Sequence, residues 1–223
     1  MIPLRDNIPS RTRPWINYAL IFVNVIIFLY ELALLNTGLL EKFILRWGFV
    51  PSVFLSNPLA EIPTLFSAMF LHGGWTHLGG NMLYLWIFGD NVEDWYGHWR
   101  YLIFYLLCGL AASFGQMITS THSKMPMIGA SGAIAGVLGS YFLLYPNARV
   151  LALIPFGFFL RMVEIPAFFF LGFWFLLQMF SGTLTLGSQS GGVAWWAHIG
   201  GFLAGVGFLF LFRRRRRTAD YTD

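Results

Sequence analysis

Six times along this chain of 223 residues an apolar run recurs that is long enough to cross a lipid bilayer. That recurrence limits the fold more than any other feature, because a hydrocarbon core about 30 Å thick takes ~20 apolar residues as a helix. Spanning backbone in lipid must satisfy its own hydrogen bonds, which leaves helices or a closed barrel, and runs of this length are helical. They fall at roughly 15–35, within 66–89, and at about 99–118, 128–145, 163–180 and 193–212. Composition agrees: 57% of residues are hydrophobic and 11% charged, against ~45–50% and ~25% in soluble domains. The fold expected is an all-α membrane protein, one six-transmembrane-helix bundle over 15–212. A short N-terminal segment (1–14) precedes it and a basic tail (213–223) follows.

The region between the fourth and fifth runs, 150–180, is too long for one span and is broken by Arg161, Glu164 and Pro166. Its first part, "VLALIPFGFF", reads as an interfacial or partly re-entrant piece. The first run is longer than the apolar stretch of a signal peptide and no small-residue cleavage site follows it, so a retained span is expected. Six spans put both termini on one side. With that side cytoplasmic, eleven of the fourteen Lys and Arg fall inside and three (Lys42, Arg46, Lys124) outside, the asymmetry that sets orientation. Arg213 to Arg217 would meet anionic lipid heads; the net charge of +4 is spread around the apolar runs and forms no nucleic-acid stripe. The first outer loop, 36–65, holds "LLEKFILRWGFVPSVFL", which fits a short amphipathic helix dipping into the outer leaflet. A second outer loop, "SGTLTLGSQSGG" (181–192), is small and polar.

Polar side chains inside a membrane are costly and point to function. Four stand out: His77, Asn81, Ser131 and His198. In the orientation above, the second, fourth and sixth spans run outside to inside. Ser131 and His198 lie roughly 5–10 Å below the outer boundary at the helical rise. His77 and Asn81, on a helix starting after "HGG" (72–74), lie at similar or slightly greater depth. His77 and Asn81 share a helix face at i, i+4. Ser131, Ala135 and Gly139 form one smooth strip, and His198, Gly201 and Gly205 another, suited to close helix contact. Strip packed on strip would bring Ser131 to His198, and a serine hydroxyl needs such a base to become a nucleophile. The Ser131 backbone N–H, in the first turn of its helix, could join Asn81 and His77 as donors to an oxyanion. The fourth and sixth spans carry no carboxylate at this depth, which favours a Ser-His dyad over a full triad. Alone, "GASG" (129–132) is more often a packing element, a lone histidine is as often a satisfied contact as a functional group, and Asn81 could be interhelical glue; their occurrence together at one depth points to catalysis. Zinc is disfavoured, since His72 and His77 are i, i+5 and no H-E-x-x-H motif is present. The single Cys108 excludes a disulfide framework, and His98 and His122 fall at span ends.

These residues resemble the rhomboid intramembrane serine proteases across nearly the whole chain. The marks are "HGGWTHLGGN" (72–81), "GASG" (129–132) and "AHIGGFLAG" (197–205) in that order. The resemblance implies Ser131 as nucleophile, His198 as general base, and His77, Asn81 and the Ser131 amide as oxyanion hole. His72 would support the site, with Gly129, Gly132, Gly201 and Gly205 packing the helices, and Glu93 would be structural. It departs from the family pattern at Pro63-Thr64, where many members carry Trp-Arg. The implied activity is cleavage of single-span membrane proteins near the outer end of their helices, with no cofactor and no metal. Loop 181–192 and the aromatic fifth span would then be lid and gate, and a crosslink in that loop should slow cleavage. A prokaryotic cell membrane is the expected location. A non-catalytic membrane chaperone or adaptor binding substrate helices is the alternative. A transporter is disfavoured, as the halves show no repeat.

Overall fold

The computed structural model describes residues 1–156, 159–185 and 193–212. Most of loop 181–192, from 186 onward, and the arginine tail therefore lie outside the described residues. Strand β1 (Ile2–Arg5) opens the chain, followed by α1 (Trp15–Thr37) and three short helices, α2 (Leu40–Trp47), α3 (Pro51–Ser56) and α4 (Pro58–Ser67). A 3₁₀ turn (Ala68–Phe70) leads to α5 (Trp75–Tyr96), α6 (His98–Thr119) and α7 (Ser131–Leu144). Strands β2 (Arg149–Phe156) and β3 (Phe159–Pro166) then precede α8 (Ala167–Leu184) and α9 (Trp195–Leu211).

Each of the six apolar runs carries one helix of 14 to 23 residues, and local chemistry sets their ends. α1 stops at Gly38, whose left-handed φ of 71° lets the next amides reach back to the Leu34 and Leu35 carbonyls. α5 starts at Trp75, directly after "HGG" (72–74), because the Gly73-Gly74 pair breaks the backbone and Gly74 has a φ of 154°. His72 thus precedes the helix. Among the described residues α1, α6 and α8 are long and apolar enough to cross a membrane, while α7 and α9 are shorter apolar helices. α7 is buried nearly all round, in the centre of the bundle.

Two expectations need correction. The stretch after Pro146, expected as an interfacial or partly re-entrant piece, forms a β-hairpin and joins β1 in an antiparallel sheet of order β1-β2-β3. Pro155 and Pro166 bar a helix here, and Val150, Ile154, Val163 and Ile165 favour strand. β1 pairs with β2 only as far as Leu153, so Pro155 removes no bond from that side. Val150 and Ala152 are buried against the bundle, while Phe159, Leu160 and Met162 stay exposed, so an all-α description omits an apolar sheet. Secondly, 36–65 forms three short helices in place of one.

The sheet and the N-terminal segment close the end of the bundle opposite Ser131. Asn91 Nδ2 donates to the Ile8 carbonyl, Ser10 Oγ to Asp90 and Thr12 Oγ1 to Asp94, and the Tyr141 hydroxyl donates to Asp6. Glu93, fully buried, accepts the amides of Ile16 (3.1 Å) and Asn17 (2.7 Å) and pairs with His98. It thereby satisfies the open N-terminus of α1. Phe212 meets Tyr96 at the same end, so the start of α1 and the end of α9 lie together.

Candidate active site

Lipid tails are as apolar as leucine, so helices in a membrane associate through close packing and hydrogen bonds. α7 and α9 do both. The backbone of Gly201 lies against the Gly132 carbonyl, that of Gly205 against the Gly136 carbonyl, and that of Gly139 against the Phe202 carbonyl. Ser140 Oγ donates to the Gly205 carbonyl at 2.8 Å. At this separation the first residue of α7 meets the first turn of α9: Ser131 Oγ and His198 Nε2 are 2.8 Å apart.

The other imidazole nitrogen is held too. His198 Nδ1 lies 2.7 Å from Gln178 Oε1 on α8, and Gln178 Nε2 donates to the Trp174 carbonyl. The amide oxygen only accepts, so the proton sits on Nδ1 and Nε2 faces the serine hydroxyl as an acceptor. Trp174 and Trp195 flank the ring at 5.9 and 6.3 Å between centroids, and His198 is 9% exposed, nearly sealed from water.

On the other side of Ser131 stand the groups from α5. Gly129, φ 122°, brings its backbone so near that a Cβ there would lie 2.7 Å from His77 Nε2 and 3.7 Å from Asn81 Nδ2. Only glycine tolerates both that dihedral and that approach. The Gly73 N–H donates to His77 Nδ1, which leaves Nε2 as the protonated nitrogen, towards Gly129. His72 Nδ1 donates to the Phe70 carbonyl, and its Nε2 accepts from Asn81 Nδ2 at 2.9 Å. Asn81 therefore presents its NH₂ group to this neighbourhood, with one N–H left over. A cavity of about 20 Å³, room for about one water molecule, adjoins Ser131 between Ser113, Met127, Gly129 and Ala197.

The site residues singled out from the sequence thus come together: Ser131 with His198; His72, His77 and Asn81 around Gly129; Gly132, Gly201 and Gly205 along the α7–α9 contact. Glu93 lies at the opposite end. Two polar residues bonded to site residues escaped the sequence reading. Gln178 is a polar residue within "AFFFLGFWFLLQMF", and Glu31 is the charged residue of α1. The rule that drew attention to His77 and Ser131, polarity inside an apolar span, would have found both. Glu31 is 1% exposed and accepts the backbone N–H of His72 through both carboxylate oxygens, at 3.1 and 3.2 Å. Among the described residues no group of three or more potential metal ligands comes together.

A base-paired serine, a fixed tautomer and a cluster of donors across the nucleophile make an acyl-transfer site chemically possible. Comparison with known proteins is consistent with it. The Rhomboid domain matches residues 60–215 of this chain. "Rhomboid protein 1, mitochondrial" of Saccharomyces cerevisiae is 28% identical over 195 residues, covering 85% of this chain and 51% of that protein. "RHOMBOID-like protein 5" of Arabidopsis thaliana is 31% identical over 158 residues, 67% of this chain and 44% of the relative. "Rhomboid protease GluP" of Bacillus subtilis is 42% identical over 76 residues, 34% and 14% respectively. The chain spans about half the length of the first two. The first is named mitochondrial and the last comes from a bacterium, so the prokaryotic cell membrane expected from the sequence is not supported. With the Rhomboid domain extending over most of the chain and the glycine-lined helices meeting at Ser131 and His198, this membrane protein belongs to the rhomboid family.

Proposed function

We propose that this protein is an intramembrane serine endopeptidase that cleaves single-span membrane proteins within or near the outer end of their transmembrane helices. The bundle then crosses the bilayer six times with both termini cytoplasmic. The observation that carries the reading is the 2.8 Å contact between Ser131 Oγ and His198 Nε2. In the first step His198 Nε2 takes the hydroxyl proton as Oγ attacks the scissile carbonyl. The Nδ1–H bond to Gln178 keeps the ring in the tautomer able to do so. The tetrahedral oxyanion falls among the Ser131 amide, His77 Nε2–H and the free N–H of Asn81. Donors fixed in advance in a water-poor site are worth far more there than in water. The imidazolium returns its proton to the leaving amine, leaving Ser131 acylated. A water then repeats the sequence with His198 as base, and the small cavity beside Ser131 is where one could wait.

A peptide bond inside a helix is shielded by its neighbours, so the substrate must unwind locally. Segments with small or helix-breaking residues are the expected substrates. The non-catalytic chaperone reading has no use for a fixed histidine tautomer facing a serine. The deciding experiment is labelling with a fluorophosphonate probe of wild type, Ser131→Ala and His198→Ala, followed by cleavage of a reporter single-span protein. Wild type should label and cut, and both variants should do neither. A folded wild type that does neither returns Ser131 to a packing role and makes the protein a helix-binding scaffold.

A further inference from the structure

A carboxyl group buried in an apolar helix is expensive unless something uses it. Glu31 belongs to no step of the reaction above, yet it is 1% exposed near the end of α1 on the Ser131 side. What it holds is backbone. Both of its oxygens face the amide of His72 (3.1 and 3.2 Å), in a segment that no helix supports, since the 3₁₀ turn ends at Phe70 and α5 begins at Trp75. One helical turn earlier on α1, Phe28 packs edge-on against Trp75 with ring centroids 5.0 Å apart. α1 thus grips the approach to α5 at two neighbouring points.

That approach sets the geometry of the donor cluster. His72 turns its ring so that Nδ1 meets the Phe70 carbonyl and Nε2 takes a hydrogen from Asn81. The next amide, Gly73 N–H, donates to His77 Nδ1. Both contacts depend on where the 71–74 backbone lies, and each leaves a side-chain N–H directed to the oxyanion position. We infer that Glu31 is a positioning residue for the oxyanion hole, acting through the His72 amide. This rests on the reading of Ser131 as nucleophile. Releasing the clamp would let the backbone at 71–74 shift, and His77 and Asn81 would lose aim while the substrate's binding surface stays intact. Donors are needed most when charge develops on the carbonyl oxygen, so the loss belongs in kcat rather than KM.

The test compares wild type, Glu31→Leu, Glu31→Gln and Glu31→Asp in proteoliposomes. Leucine removes the acceptor at similar volume, glutamine keeps an acceptor oxygen, and aspartate is one methylene too short to reach. Removing an oxyanion donor outright costs about 10²–10³-fold in kcat, so misaiming should cost Glu31→Leu about 10–100-fold, with KM within about twofold. Glu31→Asp should follow leucine, and Glu31→Gln should stay within about threefold of wild type. A peptide aldehyde, which places an oxyanion in the hole when Ser131 adds to it, should lose affinity in the same proportion as kcat. Amide hydrogen exchange over residues 70–74 reads the clamp without activity, and should quicken in the leucine and aspartate variants. Unchanged exchange, a wild-type kcat in Glu31→Leu, or a loss shared equally by kcat, KM and thermal stability overturns the inference. So does glutamine as poor as leucine. If Glu31→Leu does not fold, the aspartate and glutamine variants carry the comparison. Faster exchange in a family of variants whose wild type cuts nothing would sink the protease reading and leave the clamp standing.

Discussion

Gly201→Ala tests whether the glycine contact between α7 and α9 makes the site or merely accompanies it. A Cβ on residue 201 would lie 2.0 Å from the Gly132 carbonyl oxygen and 3.0 Å from its carbon. Ordinary contact begins near 3.4 Å, so the helices must part by 1.4 Å there, the difference of the two distances. The obstacle is backbone and cannot rotate away. Residue 201 is one turn from His198, and Gly132 adjoins Ser131 in the chain. A retreat along the line joining Ser131 to His198 would stretch their 2.8 Å contact by 1.4 Å to 4.2 Å, too long for a hydrogen bond. A misplacement of about 1 Å at reacting groups can cost ~10²-fold in rate, so probe labelling and cleavage should each fall by about that much. Overpacking costs typically ~1–3 kcal/mol, more than the ~1 kcal/mol that alanine gains over glycine in a helix, so the variant should also melt earlier. The control is Gly207→Ala on the same helix, with nothing within 4 Å of the new Cβ; it should keep both rate and stability. Rates are compared on protein that elutes as a folded species and keeps its helical circular dichroism. If folded Gly201→Ala labels and cuts like wild type, the glycine strip does not set the distance between nucleophile and base.

Gln178→Leu removes the acceptor for His198 Nδ1–H and frees the ring's tautomer, so kcat should drop by about tenfold or more; wild-type turnover would show that packing against Trp174 and Trp195 suffices to hold the ring. Glu93→Leu leaves the first amides of α1 and the His98 ring without their shared partner. It should cost about 1–3 kcal/mol in unfolding free energy while folded protein keeps its probe reactivity, and loss of labelling without loss of stability would contradict a structural role. Burial raises the Asp6 carboxyl to about 6, above its value in the unfolded chain. The folded state therefore holds the extra proton between roughly pH 4 and 6, and stability falls as pH rises through that window, by about 1 kcal/mol after allowing for partial exposure. Thermal melts of wild type should show this decline and Asp6→Asn should lack it; equal slopes would mean that Asp6 does not titrate against folding.

The legible part of this protein is the part where lipid does the selecting. A bilayer forces each long apolar run to satisfy its own backbone, so one run gave one helix six times over, and small residues spaced by four marked α7 and α9 as partners. Depth along a helix is arithmetic, which is why the sequence alone puts Ser131, His198, His77 and Asn81 in one layer. Where the solvent argument lapses, the reading lapsed with it. Residues 149–166 are largely apolar, and only proline placement and β-branching mark them locally as a hairpin; the partner strand β1 lies some 150 positions away, beyond any local signal. Asn17 shows the same limit. Its amide donates to the Leu85 carbonyl and accepts from the Tyr101 hydroxyl, a contact fixed by three helices at once. Gln178 and Glu31 differ in kind, because their polarity was visible and only their partners were not. Both act on a site residue from a helix on the outside of the bundle, one on an imidazole and the other on a backbone amide. Of the two, Gln178 belongs to the helix that follows the exposed β3 strand and leads towards residues 186–192. The tautomer of His198 is therefore held from α8, whereas His77 and Asn81 are held from the segment that precedes α5.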